Sequence, residues 1–335
     1  MKRSRSEIRD ELAERIARVS AEDFVRQYVV LPEYRAAGIG PTDVKVSIIQ
    51  NDGTGAATLE YTVGGSARLF AKLYPDGSGP HAWEVLRALW QAGFDREHRY
   101  RVPEPLAFVA EYNLLLMRGA PGVGLVALLD GDGDRAVTAV REAARWLLRL
   151  HASPVRVGRL EQPWYTFRKV SDRLAKAAAS HPQELRHLTD MVDQLDAVAE
   201  RREPAEPVQA HGQFRPIHTF LNGETVTVID LDRSQPSDPA RDLAEFIHRL
   251  RSTLARDGSA TAAADTLTRA FLDEYARERS SGLASLPFYH VAHVVVSSCR
   301  HLKRLGPEAP DWQTTKEFYA RELDDAVSGR LYPSR

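Results

Sequence analysis

The stretch QAHGQFRPIHTFLNGETVTVIDLDR, residues 209–233, decides how the rest of the chain is interpreted. At its centre, Asn222-Gly223 stands between two runs rich in apolar and β-branched residues, and this dipeptide supplies the positive φ angles of a two-residue hairpin turn. The pattern predicts a β-hairpin whose open end brings Asp230 close to His218 and to the loop before the hairpin. Carboxylate oxygens at such a convergence suit a hard cation such as Mg²⁺.

The part of the chain before residue 123 is β-rich. Between residues 43 and 74, KVSIIQ, TLEYTV and ARLFAKLY are separated by glycine-bearing turns, which predicts an antiparallel meander. Pro80 and Gly93 mark the start and the end of a helix after this meander. Two further apolar runs, at 103–110 and 113–122, are typical of strands. We therefore expect a small sheet with one inserted helix.

Helical spacing dominates from Leu125 onward. Apolar residues at helical intervals predict a helix that ends near His151. Further helices are expected at 164–178, 183–200, 240–256, 260–278, 285–304 and 312–326. The chain is thus expected to divide into an N-terminal helical segment at 1–42, a β-rich N-lobe at 43–120 and a helical C-lobe at 121–335. This division indicates the α+β class.

The chain begins with a helical pattern. Ile8, Leu12, Ile16 and Val19 recur at helical spacing, and a capping-box pattern over 20–23 predicts a second short helix. Two interpretations stay open for this segment. It either packs on the body of the protein or serves as an arm that binds a partner protein.

Composition excludes several classes of protein. Lys plus Arg number 45 and Asp plus Glu number 46, so the formal net charge is −1. This balance argues against an electrostatic grip of the whole chain on nucleic acid or on an anionic membrane. The longest apolar stretches, such as 125–129, are too short to cross a bilayer, and residues 6–19 carry mixed charges where a secretory signal has an apolar core. We expect a cytoplasmic protein that binds neither nucleic acid nor membrane.

Cysteine and histidine usage gives little indication of a metal site. Cys299 is the only cysteine, which excludes an intrachain disulfide framework and a multi-cysteine zinc site. His290, His293 and His301 fall on one late helical segment, but they lack a recognised ligand spacing. The sequence therefore does not favour a metal site there.

The segment around the hairpin resembles the aminoglycoside phosphotransferase and choline kinase-like family. That family's catalytic stretch reads His-Gly-Asp, four residues, Asn, and then a hydrophobic strand that ends in Ile-Asp, followed by Asp-Pro, two residues and Asp-Leu-Ala. Here it reads His211-Gly212-Gln213, FRPI, His218, then VIDLD at 228–232, and DPARDLA at 238–244. The resemblance implies a bilobal protein-kinase-like fold, with a small antiparallel-sheet N-lobe and a larger, mainly helical C-lobe.

The resemblance extends over most of residues 45–330. FAKLYP places Lys72 like the family's third-strand lysine, and Glu84 falls on the next helix like its ion-pair partner. NLLLMRGAPG at 113–122 is similar to the segment that joins the lobes, and REAARWLLRLHAS at 141–153 is similar to the helix that opens the second lobe.

By this resemblance the chain transfers a phosphoryl group from ATP or another NTP with the help of Mg²⁺. Lys72, held by Glu84, would bind phosphate oxygens, and the glycine-bearing turn with Gly53 and Gly55 would cover them. Asp230 would bind the metal. Asp242 would brace the catalytic loop from the helix behind it.

Two positions depart from the family pattern. Gln213 stands where the family has the aspartate that accepts the substrate proton, and glutamine cannot accept a proton; a general base contributes about 10²–10⁴ in rate. His218 replaces a metal-binding asparagine, and imidazole is a softer ligand than Mg²⁺ prefers. Asp232, two residues after Asp230, is a further candidate metal ligand and is near enough in sequence to take over part of the lost role. A loose transition state would also tolerate a missing base, because the nucleophile then needs little deprotonation.

Three hypotheses stay open. The chain is a kinase that acts on a hydroxyl of a small molecule or a peptide, a pseudokinase that binds nucleotide or scaffolds a partner protein, or a structural partner without nucleotide. Arg215 and Arg233 flank the expected cleft, where they either contact phosphate or form salt bridges.

Overall fold

The structure is a computed structural model, and it describes residues 5–51, 55–75, 77–129, 133–200, 205–255 and 261–332. The contacts within the chain group it into two compact units. The first unit comprises Met1–Gly122 and Asn222–Asp232, and the second comprises Val123–Leu221 and Arg233–Arg335. The mixture of an antiparallel sheet near the N-terminus with many helices confirms the predicted α+β class.

The first unit is built on a five-stranded antiparallel sheet. Its strands are β1 Val44–Asn51, β2 Ala57–Val63, β3 Ala67–Leu73, β5 Pro105–Val109 and β6 Leu114–Arg118. They are arranged in the order β1-β2-β3-β6-β5. The first three strands pair consecutively, which confirms the predicted meander.

The alternation along β3 decides where its lysine lies. Leu69, Ala71 and Leu73 are fully buried in the core of the unit, together with alternate residues of β2. Because successive side chains of a strand point to opposite faces, Lys72 lies on the face away from this core. The apolar pattern of the strand thus leaves Lys72 available for a polar site, whereas the strand's other cation, Arg68, is paired with Glu60.

The N-terminal helices pack against this sheet. They are α1 Arg5–Ser20, α2 Glu22–Phe24 and α3 Pro32–Ala36, with a π-helical turn at Val25–Val29. Leu12 and Val19 of α1 belong to the same buried cluster as the strands. The hydroxyl of Tyr61 donates a hydrogen bond to the carbonyl oxygen of Val19 over 2.9 Å. Of the two interpretations of this segment, the structure supports packing on the body.

Two further elements complete the first unit. Helix α4, Ser78–Gln91, ends just before Gly93, which has a φ of +88°, as the sequence predicts. Strand β4, Tyr100–Arg101, pairs in parallel with β10, Thr225–Val228. The turn before β10 lies one residue later than predicted: its two residues are Gly223 and Glu224, and Gly223 has a φ of +58°, whereas Asn222 still belongs to the preceding strand and has no positive φ.

The second unit is mainly helical. Its helices are α5 Val126–Leu129, α6 Gly133–Ala152, α7 Pro163–Ser180, α8 Leu185–Glu200, α9 Ala240–Leu254, α10 Thr261–Ala276, α11 Leu286–Leu305 and α12 Pro310–Ser328. The predicted helices lie within a few residues of these bounds. Stacked rings at the centre of the unit, Phe214, Phe246 and Phe271, are fully buried.

Short strands flank the catalytic-loop sequence in the second unit. Strand β7, Val123–Gly124, pairs antiparallel with β9, Thr219–Asn222. Strand β8, Val208–Ala210, pairs antiparallel with β11, Gln235–Ser237. The sequence patterns do not predict the β8–β11 pair, because three residues are too few to show a period. This pair holds both ends of the segment that carries the loop.

No helix within the described ranges has both the length and the apolar character needed to span a membrane.

Candidate functional site

A lysine and two aspartates of the first unit form one ionic cluster. Lys72 Nζ donates a hydrogen bond to Asp230 Oδ1 over 2.6 Å, and it also forms an ion pair with Asp232. Each of the three side chains is about a quarter exposed. Burial alone would lower the pKa of Lys72, but the charges of Asp232 and Asp230 outweigh it and raise this pKa above its ordinary value. The lysine is therefore a permanent cation beside two carboxylates.

The backbone at Asp230 adopts a conformation that is rare for this residue type. Its φ is +69°, in the left-handed region that non-glycine residues seldom occupy. It comes two residues after the end of β10, so the chain turns sharply there and carries Asp232 to the same ammonium. Conformations of this kind cost about 1–3 kcal/mol and concentrate at functional sites.

Tyr74 is a member of the cluster that the sequence analysis missed. Its hydroxyl donates a hydrogen bond to Asp232 Oδ1 over 2.9 Å, and its ring centroid lies 5.8 Å from the Lys72 ammonium. Its main chain is held by Asn113, whose carbonyl oxygen accepts from the Tyr74 N–H over 3.0 Å. The sequence does contain an indication of this placement. Tyr74 follows Lys72 by two residues on an extended segment, so both side chains are expected on the same face.

The other predicted nucleotide-side residues are placed differently. Glu84 is exposed on α4, whose buried face carries Val85 and Leu86 among others, and the described residues show no ion pair between Glu84 and Lys72. The predicted lysine–glutamate pair is therefore corrected: the carboxylate partners of Lys72 are Asp230 and Asp232, because the apolar face of α4 turns Glu84 toward solvent.

The glycine-bearing turn is only partly described. Gly53 lies outside the described residues. Gly55 has a φ of +100°, and a Cβ at this position would lie 2.9 Å from the Cβ of Pro75. Glycine is therefore required here by the local fold. The prediction that these glycines cover phosphate groups stays a prediction.

In the second unit, the loop that carries Gln213 is held by a buried carboxylate. Asp242 accepts hydrogen bonds from the backbone N–H groups of His211, over 2.6 Å, and Gly212, over 2.8 Å. A ring nitrogen of His151 lies 3.2 Å from the same carboxylate. Burial alone would raise the pKa of Asp242, but the interactions with His151 lower it below its ordinary value. The bracing that the resemblance implied for Asp242 is present.

Gly212 cannot be replaced without moving the loop. Its φ is +79°, and a Cβ built there would lie 2.0 Å from the carbonyl oxygen of Arg233. This distance is far below any real contact of a Cβ atom. Steric contact with the Arg233 carbonyl oxygen therefore requires glycine at this position of the motif.

Gln213 faces a guanidinium group. With the amide oxygen turned toward Arg215, it accepts hydrogen bonds from Nη2 over 2.6 Å and from Nη1 over 3.1 Å. Arg215 Nε in turn donates to Glu245 Oε1 over 2.6 Å. Of the two roles considered for Arg215, the structure therefore supports the salt-bridged one. The Gln213 side chain is held in place and carries no group that can accept a proton.

His218 closes the loop from its other end. Its Nδ1 lies 3.0 Å from the carbonyl oxygen of Gln213. Because a carbonyl oxygen can only accept, the neutral ring carries its proton on Nδ1. The ring is buried and lies parallel to that of His211, with centroids 5.9 Å apart. His218 thus has a structural role within the loop, and its predicted metal binding stays a prediction.

Glu245 is the centre of a charge network behind the loop. Besides Arg215, it accepts from Arg249 Nε over 2.9 Å, and its other oxygen lies 2.9 Å from His293 Nδ1. Burial alone would raise the pKa of Glu245, but His293, Arg215 and Arg249 together lower it well below its ordinary value. The sequence analysis did not single out this residue.

Comparison with known proteins identifies the family. Residues 49–281 match the model of the phosphotransferase enzyme family. The chain belongs to this family. No curated protein matches its sequence.

Solved structures share its fold at low sequence identity. The ethanolamine kinase of Plasmodium vivax superposes with a TM-score of 0.61 at 11% identity, covering 98% of this chain and 97% of its own. Spectinomycin phosphotransferase, solved with ADP and spectinomycin, has a TM-score of 0.59 at 13% identity, with 85% and 93% covered. Choline kinase from Streptococcus pneumoniae has a TM-score of 0.56 at 14% identity, with 85% and 94% covered. The predicted protein-kinase-like fold is confirmed.

Glu245→Gln tests the charge network that holds the loop. The variant keeps the shape of the side chain and removes its charge, so we expect its free energy of unfolding at neutral pH to fall by about 2 kcal/mol. The expected loss is smaller than that for breaking a completely buried ion pair, because Arg215 and Arg249 are each about a quarter exposed. Since the folded pKa is depressed, the stabilisation is complete above the unfolded pKa of about 4.3 and is lost as the pH falls through the folded value.

Urea denaturation of wild type and variant, at neutral pH and in acid below the unfolded carboxyl pKa, measures both effects. The difference between the two proteins should shrink in acid. Glu308→Gln, at an exposed glutamate of the same unit, is the control and should change the free energy of unfolding by less than about 0.5 kcal/mol. A difference for Glu245→Gln that is equally large at both pH values would contradict the account.

Proposed function

We propose that this protein is a Mg²⁺- and ATP-dependent phosphotransferase that phosphorylates a hydroxyl group of a small molecule. Membership of the phosphotransferase enzyme family supports the reaction class. The observation that carries the proposal is the cluster of Lys72 with Asp230 and Asp232 in the first unit. A permanent cation beside two carboxylates is the combination that a metal-bound triphosphate requires.

The donor set fits a magnesium ion. Asp230 and Asp232 supply carboxylate oxygens, which are the ligands that Mg²⁺ prefers, and both side chains are partly exposed and reachable. When bound, the ion would neutralise charge on the phosphate oxygens.

The residues of this chain have separate tasks in such a reaction. Lys72, whose pKa is raised, stays protonated and binds phosphate oxygens. Tyr74 orients Asp232 through its hydroxyl. Asp242 fixes the backbone at 211–212, so that the loop presents position 213 in one conformation. Gln213 orients the substrate hydroxyl without deprotonating it. The rate then depends on positioning and charge neutralisation, which supply most of the catalysis in phosphoryl transfer.

A second candidate function is a pseudokinase that binds nucleotide without turnover. One observation favours it: the Gln213 amide is held by the Arg215 guanidinium, which itself is paired with Glu245. A side chain held in this way is suited to a fixed structural role. The two candidates share nucleotide binding and differ only in whether phosphate is transferred.

Asp230→Asn tests the proposed metal ligand. The variant removes one carboxylate charge, so we expect ADP formation to fall at least about a hundredfold. The assay measures ADP release from ATP and Mg²⁺ over a panel of small hydroxyl compounds that includes choline, ethanolamine and spectinomycin. Glu224→Gln, at an exposed glutamate of the same unit, is the control and should keep the wild-type rate.

Thermal shift with ATP and Mg²⁺ separates the two candidates. A nucleotide-dependent rise in Tm that disappears in Lys72→Met, combined with no ADP above the Asp230→Asn background, would favour the pseudokinase. Absence of both turnover and nucleotide binding in the wild-type chain would contradict both candidates.

Gln213→Asp tests whether the missing base limits the rate. Aspartate, although one methylene shorter than glutamine, restores a proton acceptor, so we expect phosphate transfer to rise at least tenfold, within the range of general-base catalysis. Gln213→Asn is the matched control, because it shortens the side chain equally but stays neutral. Equal rates in the two variants, with nucleotide binding kept in both, would show that the missing base at position 213 does not limit the rate.

A further inference from the structure

Three buried polar side chains from three helices of the second unit meet in one cluster. They are His248 of α9, His290 of α11 and Glu322 of α12, with exposed fractions of 0%, 0% and 1%. Each offers a ring nitrogen or a carboxylate oxygen, and these three atoms lie within 4.8 Å of one another. The cluster consists of residues that the reaction proposed above does not use.

Each of the three side chains has one polar atom without a hydrogen-bond partner among the described residues. These atoms are His248 Nδ1, His290 Nε2 and Glu322 Oε2. His290 Nε2 and Glu322 Oε2 lie 3.5 Å apart, which is too long for a good hydrogen bond. A buried polar atom without a partner is unfavourable, because it has lost its hydrogen bonds to water and gained none in return. An unpartnered buried polar atom on every member of one cluster therefore indicates that a further group binds there.

The remaining polar atoms of the two histidines are held. His248 Nε2 lies 2.8 Å from Ser297 Oγ, and His290 Nδ1 lies 3.0 Å from the hydroxyl of Tyr332. A histidine that binds a metal through one ring nitrogen is oriented in this way by a hydrogen bond at the other. Both imidazole rings are therefore oriented by a hydrogen bond at one nitrogen, as a metal-binding histidine requires.

The carboxylate is also oriented, and the surroundings have spare negative charge. Glu322 Oε1 accepts from Arg251 Nε over 2.5 Å, which leaves Oε2 directed elsewhere. Arg251 also binds Asp265 and Asp325, and Arg330 binds the same two aspartates. These contacts involve three carboxylates and two guanidinium groups, and this excess of one carboxylate favours a bound cation over a bound anion.

We propose that His248, His290 and Glu322 bind a Zn²⁺ ion that joins α9, α11 and α12. Two imidazoles and one carboxylate form a donor set that zinc uses in proteins, and a water molecule completes a tetrahedron. A harder cation such as Mg²⁺ would prefer oxygen ligands only. The ligands come from three different helices. The spacing of His290, His293 and His301 along one helix therefore could not predict this site.

The burial of the site determines how it is loaded. No ligand is more than 1% exposed, so the ion would enter as the helices assemble and not by diffusion into a preformed cleft. Zinc binding is then coupled to folding, and removal of the ion should lower stability. Chelation of the folded protein is expected to be slow.

The experiment is to unfold the full chain, refold it with a chelator or with excess Zn²⁺, and remove free metal by gel filtration. Bound zinc is then measured by mass spectrometry, and Tm by calorimetry. We expect one zinc ion per chain and a higher Tm for wild type refolded with zinc. His290→Gln should lose at least about nine-tenths of the bound zinc. His181→Gln, on the same unit but outside the cluster, should keep it.

Two measurements keep the proposal falsifiable. Asp230→Asn should still bind one zinc ion, because the cluster of the first unit is a different site; loss of the ion in that variant would overturn the assignment. X-ray absorption of zinc-loaded wild type, which depends on no variant, should show two imidazole nitrogens among light-atom ligands. A wild-type chain that binds no zinc, or a shell of oxygen ligands alone, would also overturn it.

Discussion

The ion pair between Lys72 and the two aspartates that follow β10 is the interaction on which the functional account depends. It joins residues 158 positions apart, one on a strand whose alternate side chains are buried and one at a left-handed backbone turn. Holding both side chains in place costs conformational entropy. The negative charges of Asp232 and Asp230 offset the desolvation of the Lys72 ammonium. A cation and two carboxylates kept partly exposed in this way form a polar centre beside the apolar core of the first unit.

The second unit fixes the other part of the motif by hydrogen bonds and packing. Asp242 holds the backbone at His211 and Gly212, and Glu245 holds Arg215, which binds Gln213. A loop restrained this closely positions its side chains well. It supplies no proton acceptor at position 213, so any phosphate transfer must rely on orientation and charge neutralisation. This is why one geometry is compatible with a slow enzyme and with a nucleotide-binding protein.

Local patterns predicted the elements well, and long-range contacts were predicted only where the family resemblance supplied them. The meander, the turn at Gly223 and the helices follow from alternation, turn chemistry and helical spacing, which act over a few residues. The predicted pairing of Glu84 with Lys72 was wrong, because α4 buries a face that leaves Glu84 in solvent. The hydrogen bond from Tyr74 and the cluster around His290 depend on how distant elements pack, which no local period encodes.

The most direct measurement is a crystal structure of the wild-type chain with Mg²⁺ and a non-hydrolysable ATP analogue. The account predicts that the Lys72 ammonium donates to a phosphate oxygen and that the metal ion binds an Asp230 carboxylate oxygen, within ordinary hydrogen-bond and magnesium–oxygen distances. A nucleotide whose phosphates lie away from both residues, with the Lys72–Asp230 pair unchanged, would contradict the central claim.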